Sequence, residues 1–384
     1  MKEQEEESKK VIRTFGLASF LNDLGSDIIY PVWPLFVTTI LKANMAALGL
    51  LDGIGEALVS ISKAGSGFLS DRIRRRKIFI YTGYIMGALS RIGYSISTVW
   101  THLIPFRVLD RAGKIRSAPR DAIVADVTTT ENRGKSFGFL RAMDHLGAVC
   151  GVLICIALIN LVGYRILFFL AAIPSLISAF LVFSLIKEKK PSQTQTFSGI
   201  SLKVLDKNFR LFLFLSAIFY LGAFSYSFLL MYAKRIGFKT TFIPVLYLIY
   251  TGTASLFSIY FGKISDKAGR KPVLLLSYFF WGAVCLIFIL SRSHLMIIIS
   301  FVLYGAHKAA LEPVQRTCVA ELSPTEFRAS CLGGFQMVTG LCAFPASFVA
   351  GILWESFGMV IPFYFSLILT AMSGILLLFV RRIR

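Results

Sequence analysis

The amino-acid sequence predicts an all-α integral membrane protein with twelve transmembrane helices in two pseudo-symmetric six-helix bundles. Three observations carry that prediction. The chain has 384 residues, 55% of them hydrophobic and 14% aromatic, more apolar surface than a soluble protein of this size can bury. The apolar residues come in blocks of about 20, the length a helix needs to cross a bilayer core. The chain also repeats itself. GFLSDRIRRRK at residues 67–77 returns as GKISDKAGRK at residues 262–271. At the same constant offset Asp126 falls on Glu321, Thr130, Glu131 and Arg133 fall on Thr325, Glu326 and Arg328, and Gly163 falls on Gly358. One ungapped shift that matches so many landmarks marks a duplicated half, a common construction for membrane transporters.

The formal net charge of +20 does not point to nucleic acid, because the basic residues cluster in the short links between apolar blocks. They favour the termini and the alternate links that include RIRRRK and DKAGRK. This asymmetry puts both termini in the cytoplasm of a cell-membrane protein. The opening MKEQEEESKK is acidic, then basic, and its first apolar run continues into a full span, so a cleavable signal is not expected there. Cys150, Cys155, Cys285, Cys318, Cys331 and Cys342 all fall in predicted spans without CxxC spacing and are expected as small packing residues, neither disulfides nor metal ligands.

In order along the chain, residues 1–10 are a charged tail expected to be mobile. The first span, about 13–41, carries Asn22, Asp23 and Asp27 at membrane depth, then Pro31 and Pro34. The second, 45–70, holds Asp52, Glu56 and Lys63, the last two on one face two turns apart. The third, 78–100, encloses Arg91. The fourth, 101–127, is polar enough to escape a hydropathy test, but Arg107, Arg111 and Lys114 fall at i, i+4 and i+7 and so form a helical stripe. Arg116 and Arg120 make a second i, i+4 pair. The fifth and sixth spans are 136–161, with Arg141, Asp144 and His145, and 164–186. Residues 187–208 read as a polar linker between a first domain, 1–186, and a second, 209–384. The remaining spans are 209–233, 241–264, 272–292, 295–322, 329–354 and 358–380. The tenth holds His307, Lys308, Glu312 and Arg316.

An ionisable group at mid-bilayer costs a few kcal/mol unless it is paired or faces water. Asp23, Asp27, Glu56 and Asp110 nearly balance Lys63, Arg91, Arg111, Lys114 and Lys308, so many of these are expected to pair, Asp27 with Arg111 or Lys114 among them. Two readings follow. In one, the charges are a buried network that fixes helix packing, a role expected above all for Arg107, Arg116 and Asp52, which sit nearer the span ends. In the other, Arg111, Lys114 and Lys308 present positive charge to a substrate anion. Asp27 and Glu56 then carry a coupling proton, because a carboxylate in low dielectric titrates against an approaching cation. His307 either titrates or is a hydrogen-bonded packing residue. Phe219, Phe224 and Phe228 are expected to line a cavity, with Tyr30, Tyr220 and Tyr226 adding hydrogen bonds.

The two basic links resemble the signature of the major facilitator superfamily of secondary transporters. Gly67, Asp71, Arg72, Arg75 and Arg76 match it, with Arg74 where the family has glycine, and Gly262, Asp266, Lys267, Gly269, Arg270 and Lys271 match it throughout. The resemblance covers essentially the whole chain, and DRAGKIRSAPRDAIVAD in the fourth span is similar to a prokaryotic branch of permeases. It implies two six-helix bundles, a central cavity that the first and fourth spans help to line, and alternating access. On the residues themselves, Gly67 lets a helix end approach a neighbour, and Asp71 is a carboxylate that Arg120 or Arg141 can hold at the cytoplasmic boundary. Such a cluster either latches a gate or only fixes topology, and Gly262, Asp266, Lys267 and Arg270 repeat it more weakly.

The expected function is therefore proton-coupled transport of a small organic solute, anionic or zwitterionic, by a monomer in the lipid bilayer. The alternatives are a broad-specificity drug exporter and a non-transporting sensor or scaffold on the same fold. The sequence shows no metal-ligand cluster, no nucleophile with a placed base and no phosphate loop, so neither an enzyme nor a cofactor is expected.

Overall fold

The computed structural model describes residues 2–73, 75–128, 133–187, 206–323 and 328–380, and every regular element among them is helical. The elements in chain order are α1 (Lys2–Ile29), α2 (Met45–Ile73), α3 (Arg76–Ile96), α4 (Leu103–Ala112 and Ser117–Val127), α5 (133–162), α6 (164–185), α7 (Lys207–Gly222 and Tyr226–Arg235), α8 (Ile243–Ala268), α9 (Arg270–Leu290), α10 (His294–Leu322), α11 (Arg328–Phe357) and α12 (Ile361–Leu378). Among the described residues eight helical stretches are long and apolar enough to cross a membrane, one of them the double stretch Phe139–Leu185. The charged helices α1, α3 and α4 fall outside that test, as the polar fourth span does by hydropathy. The chain is a multi-pass membrane protein.

Three local features depart from expectation. The charged tail is not a loose end: α1 is helical from Lys2, and Ser8 Oγ donates to Val127 O at 2.7 Å. Glu6 stands three and four residues before Lys9 and Lys10, a spacing that supports an exposed helix. The fourth span is not one helix either, because a 3-10 turn at Gly113–Arg116 divides it. There α3 and α4 touch backbone to backbone: a Cβ on Gly83 would stand 2.5 Å from Gly113 O, and one on Gly113 would stand 2.7 Å from Gly83 O. The seventh span is broken at Ala223–Ser225, where Ser225 caps its second piece.

Contacts divide the chain into two compact units, residues 1–42 with 58–196, and residues 43–57 with 197–384. In the first unit α1 lies between α5 and α6. Gly147 and Gly151 of α5 bring its backbone against Phe20 O and Leu24 O, leaving 2.3 Å for a Cβ at either glycine. On α6, Ala171 O faces Gly25, and Ser178 Oγ donates to Ala18 O at 2.8 Å. Contacts on α5 therefore ascend with α1 and those on α6 descend, so the chain reverses between them. The reversal falls at Gly163, whose φ of 71° is open to glycine at little cost. Gly358, its equivalent in the repeat, has φ 103° and separates α11 from α12.

Arg91 fixes this packing. Its guanidinium is 2% exposed and donates to Ala171 O at 2.9 Å, Ser175 Oγ at 2.5 Å, Ser26 Oγ at 2.8 Å and Asn22 O at 3.2 Å. Ser175 Oγ in turn donates to Asn22 Oδ1 at 2.9 Å. One side chain of α3 thus satisfies α1 and α6 together. Below it, Phe15, Ala18, Ile80, Tyr84, Val124, Leu140 and Val182 form a closed apolar core.

The second unit is held by rings. Phe288 stacks on Phe363 at 4.7 Å and meets Tyr232 at 4.8 Å, and Trp281 Nε1 donates to Ser366 Oγ at 2.8 Å. Phe219, Phe224 and Phe228 belong to this packing, at 0%, 4% and 0% exposure, and do not line a cavity as expected; Phe219 stacks on Tyr278 at 4.5 Å and Phe224 meets Trp281 at 5.7 Å. The segment 43–57 packs on α11 through glycine. A Cβ at Gly49, Gly53 or Gly351 would stand 2.1 Å from Ser347 O, 2.5 Å from Phe344 O and 2.4 Å from Met45 O respectively. Glu355 Oε1 accepts from Met45 N at 2.7 Å, placing a carboxylate at the positive end of α2. All six cysteines are free thiols.

This packing makes some positions costly to alter and others cheap. Gly351→Val forces two backbones apart and costs about 1–3 kcal/mol, read as a fall of several degrees in the melting temperature of the purified protein. Gly262→Ala, where nothing lies within 4 Å of an added Cβ, leaves the temperature unchanged or slightly raised. Arg91→Met strands several buried acceptors at about 1–3 kcal/mol each and lowers the melting temperature far more than Arg141→Met, whose side chain is 63% exposed.

Candidate functional site

The first unit brings cations of the fourth span onto aromatic rings of α3 and of the segment that follows α1. Arg107 lies 4.5 Å over the Trp33 ring, Arg111 5.1 Å over Tyr30 and Arg116 5.0 Å over Tyr84. Arg111 also donates to Tyr30 Oη at 3.3 Å and stands 3.5 Å from the Asp110 carboxylate. Arg116 donates to Gly113 O at 2.8 Å, which ties the 3-10 turn to its own side chain. Asp110 and Asp27 are buried; Asp23 and Lys114 are half-buried, and Asp23 Oδ1 accepts from Asn22 Nδ2 at 2.9 Å. Arg107 and Arg116 here and Asp52 in the second unit, the residues for which a packing role is expected above all, are buried at 3%, 7% and 3% exposure. Stacking on a ring lets a guanidinium stay charged at depth, and the positions of those rings were not legible in the arginine spacing alone.

A second cluster centres on Asp144 of α5. Its carboxylate stands 3.7 Å from Arg120 and 3.6 Å from Arg141, and Arg120 further donates to Ser19 Oγ at 2.6 Å and Asp121 Oδ1 at 3.0 Å. Asp23 and Lys114 are also within electrostatic reach of Asp144. The two cations expected to hold Asp71 are thus engaged by Asp144, a carboxylate that sequence reasoning located without assigning it a partner. The environments of Gly67, Asp71 and Arg72 lie outside the described residues, as do Thr130, Glu131, Thr325, Glu326 and the side chains of Arg133 and Arg328. Arg75 is exposed and Lys63 half-buried.

The repeated landmark Asp126/Glu321 has a common use in the two halves. Arg76 donates to Asp126 Oδ2 at 2.5 Å. Arg270 pairs with Glu321 Oε1 at 3.1 Å, with Ser265 Oγ at 2.8 Å and with Asp266. Gly269, at φ 93°, makes the turn between α8 and α9. Gly262, by contrast, approaches no neighbour, so it does not serve the close contact expected of the repeat, and Lys267 is exposed.

In the second unit Ser225, at the break of α7, donates to Asp52 Oδ2 at 2.7 Å, and its backbone N–H donates to Ser347 Oγ at 3.2 Å. Tyr220 Oη donates to Gln315 Oε1 at 3.0 Å. His307 is 1% exposed, with Nδ1 2.9 Å from Ser277 O, the hydrogen-bonded packing position rather than one beside Lys308 in a cavity. Lys308 is half-buried, its ammonium 5.8 Å over Tyr304, while Glu56 and Glu312 are exposed. Among the described residues no group of three His, Cys, Asp or Glu side chains could hold a metal ion.

These features agree with comparisons to known proteins. The Major Facilitator Superfamily model matches residues 15–255 and 212–384. The chain is 34% identical over 387 residues to an MFS-type transporter of Methanocaldococcus jannaschii, MJ1317, covering 98% of this chain and 96% of that one. Among solved structures it superposes on a point mutant of the nucleoside transporter NupG with a TM-score of 0.80 at 15% identity, covering 96% and 98% of the two chains. It superposes on a D-xylose–proton symporter with a TM-score of 0.78 at 15% identity, covering 96% of each. On sequence, fold and the repeated links between its helices, the chain belongs to the Major Facilitator Superfamily.

Proposed function

We propose that this chain is a proton-coupled secondary transporter of the cell membrane, with both termini in the cytoplasm, that carries a small organic anion or zwitterion by alternating access. The observation that carries the reading is the run of buried cations along the fourth span, Arg107, Arg111 and Arg116, with the buried carboxylate of Asp110 beside Arg111. Positive charge at membrane depth is retained where function uses it. A substrate carboxylate is drawn to the cations Arg111 and Lys114, with Lys308 as the candidate for the same task in the second unit and Glu312, an acid, as a candidate for coupling. A charged face of this kind suits an organic anion better than a lipophilic drug cation.

Coupling needs a carboxylate that a cation can approach and leave. Asp27 and Glu56 remain candidates, and Asp144 joins them. Its Oδ1 is buried and, among the described residues, accepts no hydrogen bond; Asp23 of α1, Lys114, Arg120 and Asp121 of α4 and Arg141 of α5 surround it. A proton on Asp144 would release Arg120 from it, and withdrawal of that proton would restore the pair. This is a physical route from protonation to a change in the links between α1, α4 and α5. The ion pairs of Arg76 and Arg270 are the candidate latches at the helix ends.

The test is transport in proteoliposomes, after a thermal-shift screen over organic anions, zwitterions, sugars and lipophilic cations has found a ligand, since a ligand of the folded state raises the melting temperature. The expected result is accumulation of an organic anion that a protonophore collapses. Arg111→Ala reduces its initial rate more than tenfold. Asp27→Asn and Asp144→Asn lose gradient-driven accumulation yet keep substrate exchange. Accumulation indifferent to the protonophore, or full accumulation by both Asn variants, overturns the proton-coupled reading.

A further inference from the structure

The ring packing of the second unit extends into a shelf of four tyrosines, joined to it where Tyr304 meets Trp281 at 5.4 Å. Tyr226 of α7, Tyr247 and Tyr250 of α8 and Tyr304 of α10 run in ring contact, with centroids 5.2 Å apart for Tyr226–Tyr247, 5.3 Å for Tyr247–Tyr250 and 5.0 Å for Tyr250–Tyr304. Tyr247 and Tyr304 are buried at 4% exposure each, whereas Tyr226 and Tyr250 are half-buried. Tyr226 and Tyr250 also stack on each other with centroids 6.2 Å apart, so the row folds back on itself, and these two rings are its partly exposed members. It begins immediately after the break in α7, and discontinuous helices in membrane transporters are where substrates are held.

At the Tyr304 end of the row stands Lys308. Its Nζ lies 5.8 Å over the Tyr304 ring, and among the described residues it makes neither a hydrogen bond nor an ion pair. An ammonium carries three N–H donors, and a ring face answers only one side of it. Glu56 and Glu312 are within its electrostatic reach without touching it. They set a limit on what can arrive: one negative charge is drawn to Lys308, but a second is opposed by the two carboxylates. The shelf sets another limit, because phenol faces favour a planar π-system in stacked or edge-on contact over a saturated ring.

We propose that this shelf is a binding site for an aromatic monocarboxylate. Its ring lies against Tyr226 and Tyr250, and its carboxylate accepts from Lys308 Nζ. The assignment rests on the transport reading and deepens it by naming the class of substrate.

The test is equilibrium titration of the purified full chain in lipid nanodiscs with benzoate, cyclohexanecarboxylate, phthalate and benzyl alcohol. Benzoate is expected to bind at least tenfold more tightly than each of the other three, which lack in turn the π-system, the single charge and the carboxylate. Lys308→Gln is expected to weaken benzoate at least tenfold, Lys308→Arg to retain part of the affinity, and Tyr250→Leu to erase the preference for benzoate over cyclohexanecarboxylate. Because a variant at this depth can fail to fold, the parent protein supplies an independent readout: benzoate slows acylation of Lys308 by an amine-reactive ester, followed by mass spectrometry. No benzoate binding by the parent, equal binding of benzoate and cyclohexanecarboxylate, or unchanged acylation of Lys308 overturns the site. Protonophore-sensitive uptake, measured on the same preparations, separates the two claims. Transport of other anions without benzoate binding sinks the site and leaves the transport reading, while benzoate bound at Lys308 with no proton-driven uptake of any anion does the reverse.

Discussion

A charge that leaves water for the interior of a membrane protein must find replacements for its hydration shell within the chain, and the first unit is organised around that constraint. Arg91 meets it with two backbone carbonyls and two hydroxyls contributed by α1 and α6. Arg107, Arg111 and Arg116 meet it with the faces of Trp33, Tyr30 and Tyr84. Each solution fixes a neighbouring helix as a by-product. The cations of α3 and α4 are therefore the joints of the first unit as well as its chemistry, and the glycines at Gly25, Gly147 and Gly151 are the space those joints require.

The two halves share one ancestry of pattern but not one kind of adhesive. The basic residue that opens α3 and the one that opens α9 each pair with the acid that follows at the end of the fourth span of its half, Asp126 or Glu321. Within the membrane the likeness ends. The second half buries Trp281, Phe288 and Phe363 where the first buries guanidinium groups, and its ionisable residues are fewer and more exposed. A stack of rings needs no hydrogen-bond partners and tolerates rotation, whereas a guanidinium with four acceptors does not. The duplicated scaffold thus carries a rigid, electrostatically tuned half and a half in which apolar contact dominates.

Much of this was legible in the sequence, for reasons that differ by feature. Most of the spans follow from apolar block length and the polar fourth from its charge period, and Gly163 and Gly358 stood out through the repeat, because only a backbone need preserves a glycine at a helix junction in both copies. The break in the fourth span was not legible: DRAGKIRS continues a helical period, and the 3-10 turn comes from Gly83 of another helix pressing on Gly113. Nor was it legible which partners enclose Arg107, Arg116 and Asp52. Depth along a span is a one-dimensional estimate, but exposure depends on which ring or hydroxyl a distant segment brings, as Trp33, Tyr84 and Ser225 do. Phe228 looked available because aromaticity can be read from letters, whereas enclosure cannot.

The reversal at Gly163 bears on how the chain enters the bilayer. With a single residue between them, α5 and α6 cannot be threaded one at a time at any distance from each other. Closing so short a loop costs little entropy, so the pair favours insertion as one helical hairpin, and Gly358 imposes the same step on α11 and α12. The final pair of each repeat thereby becomes a unit of membrane assembly, and α1, already in place when α5 and α6 arrive, becomes the surface on which that hairpin closes.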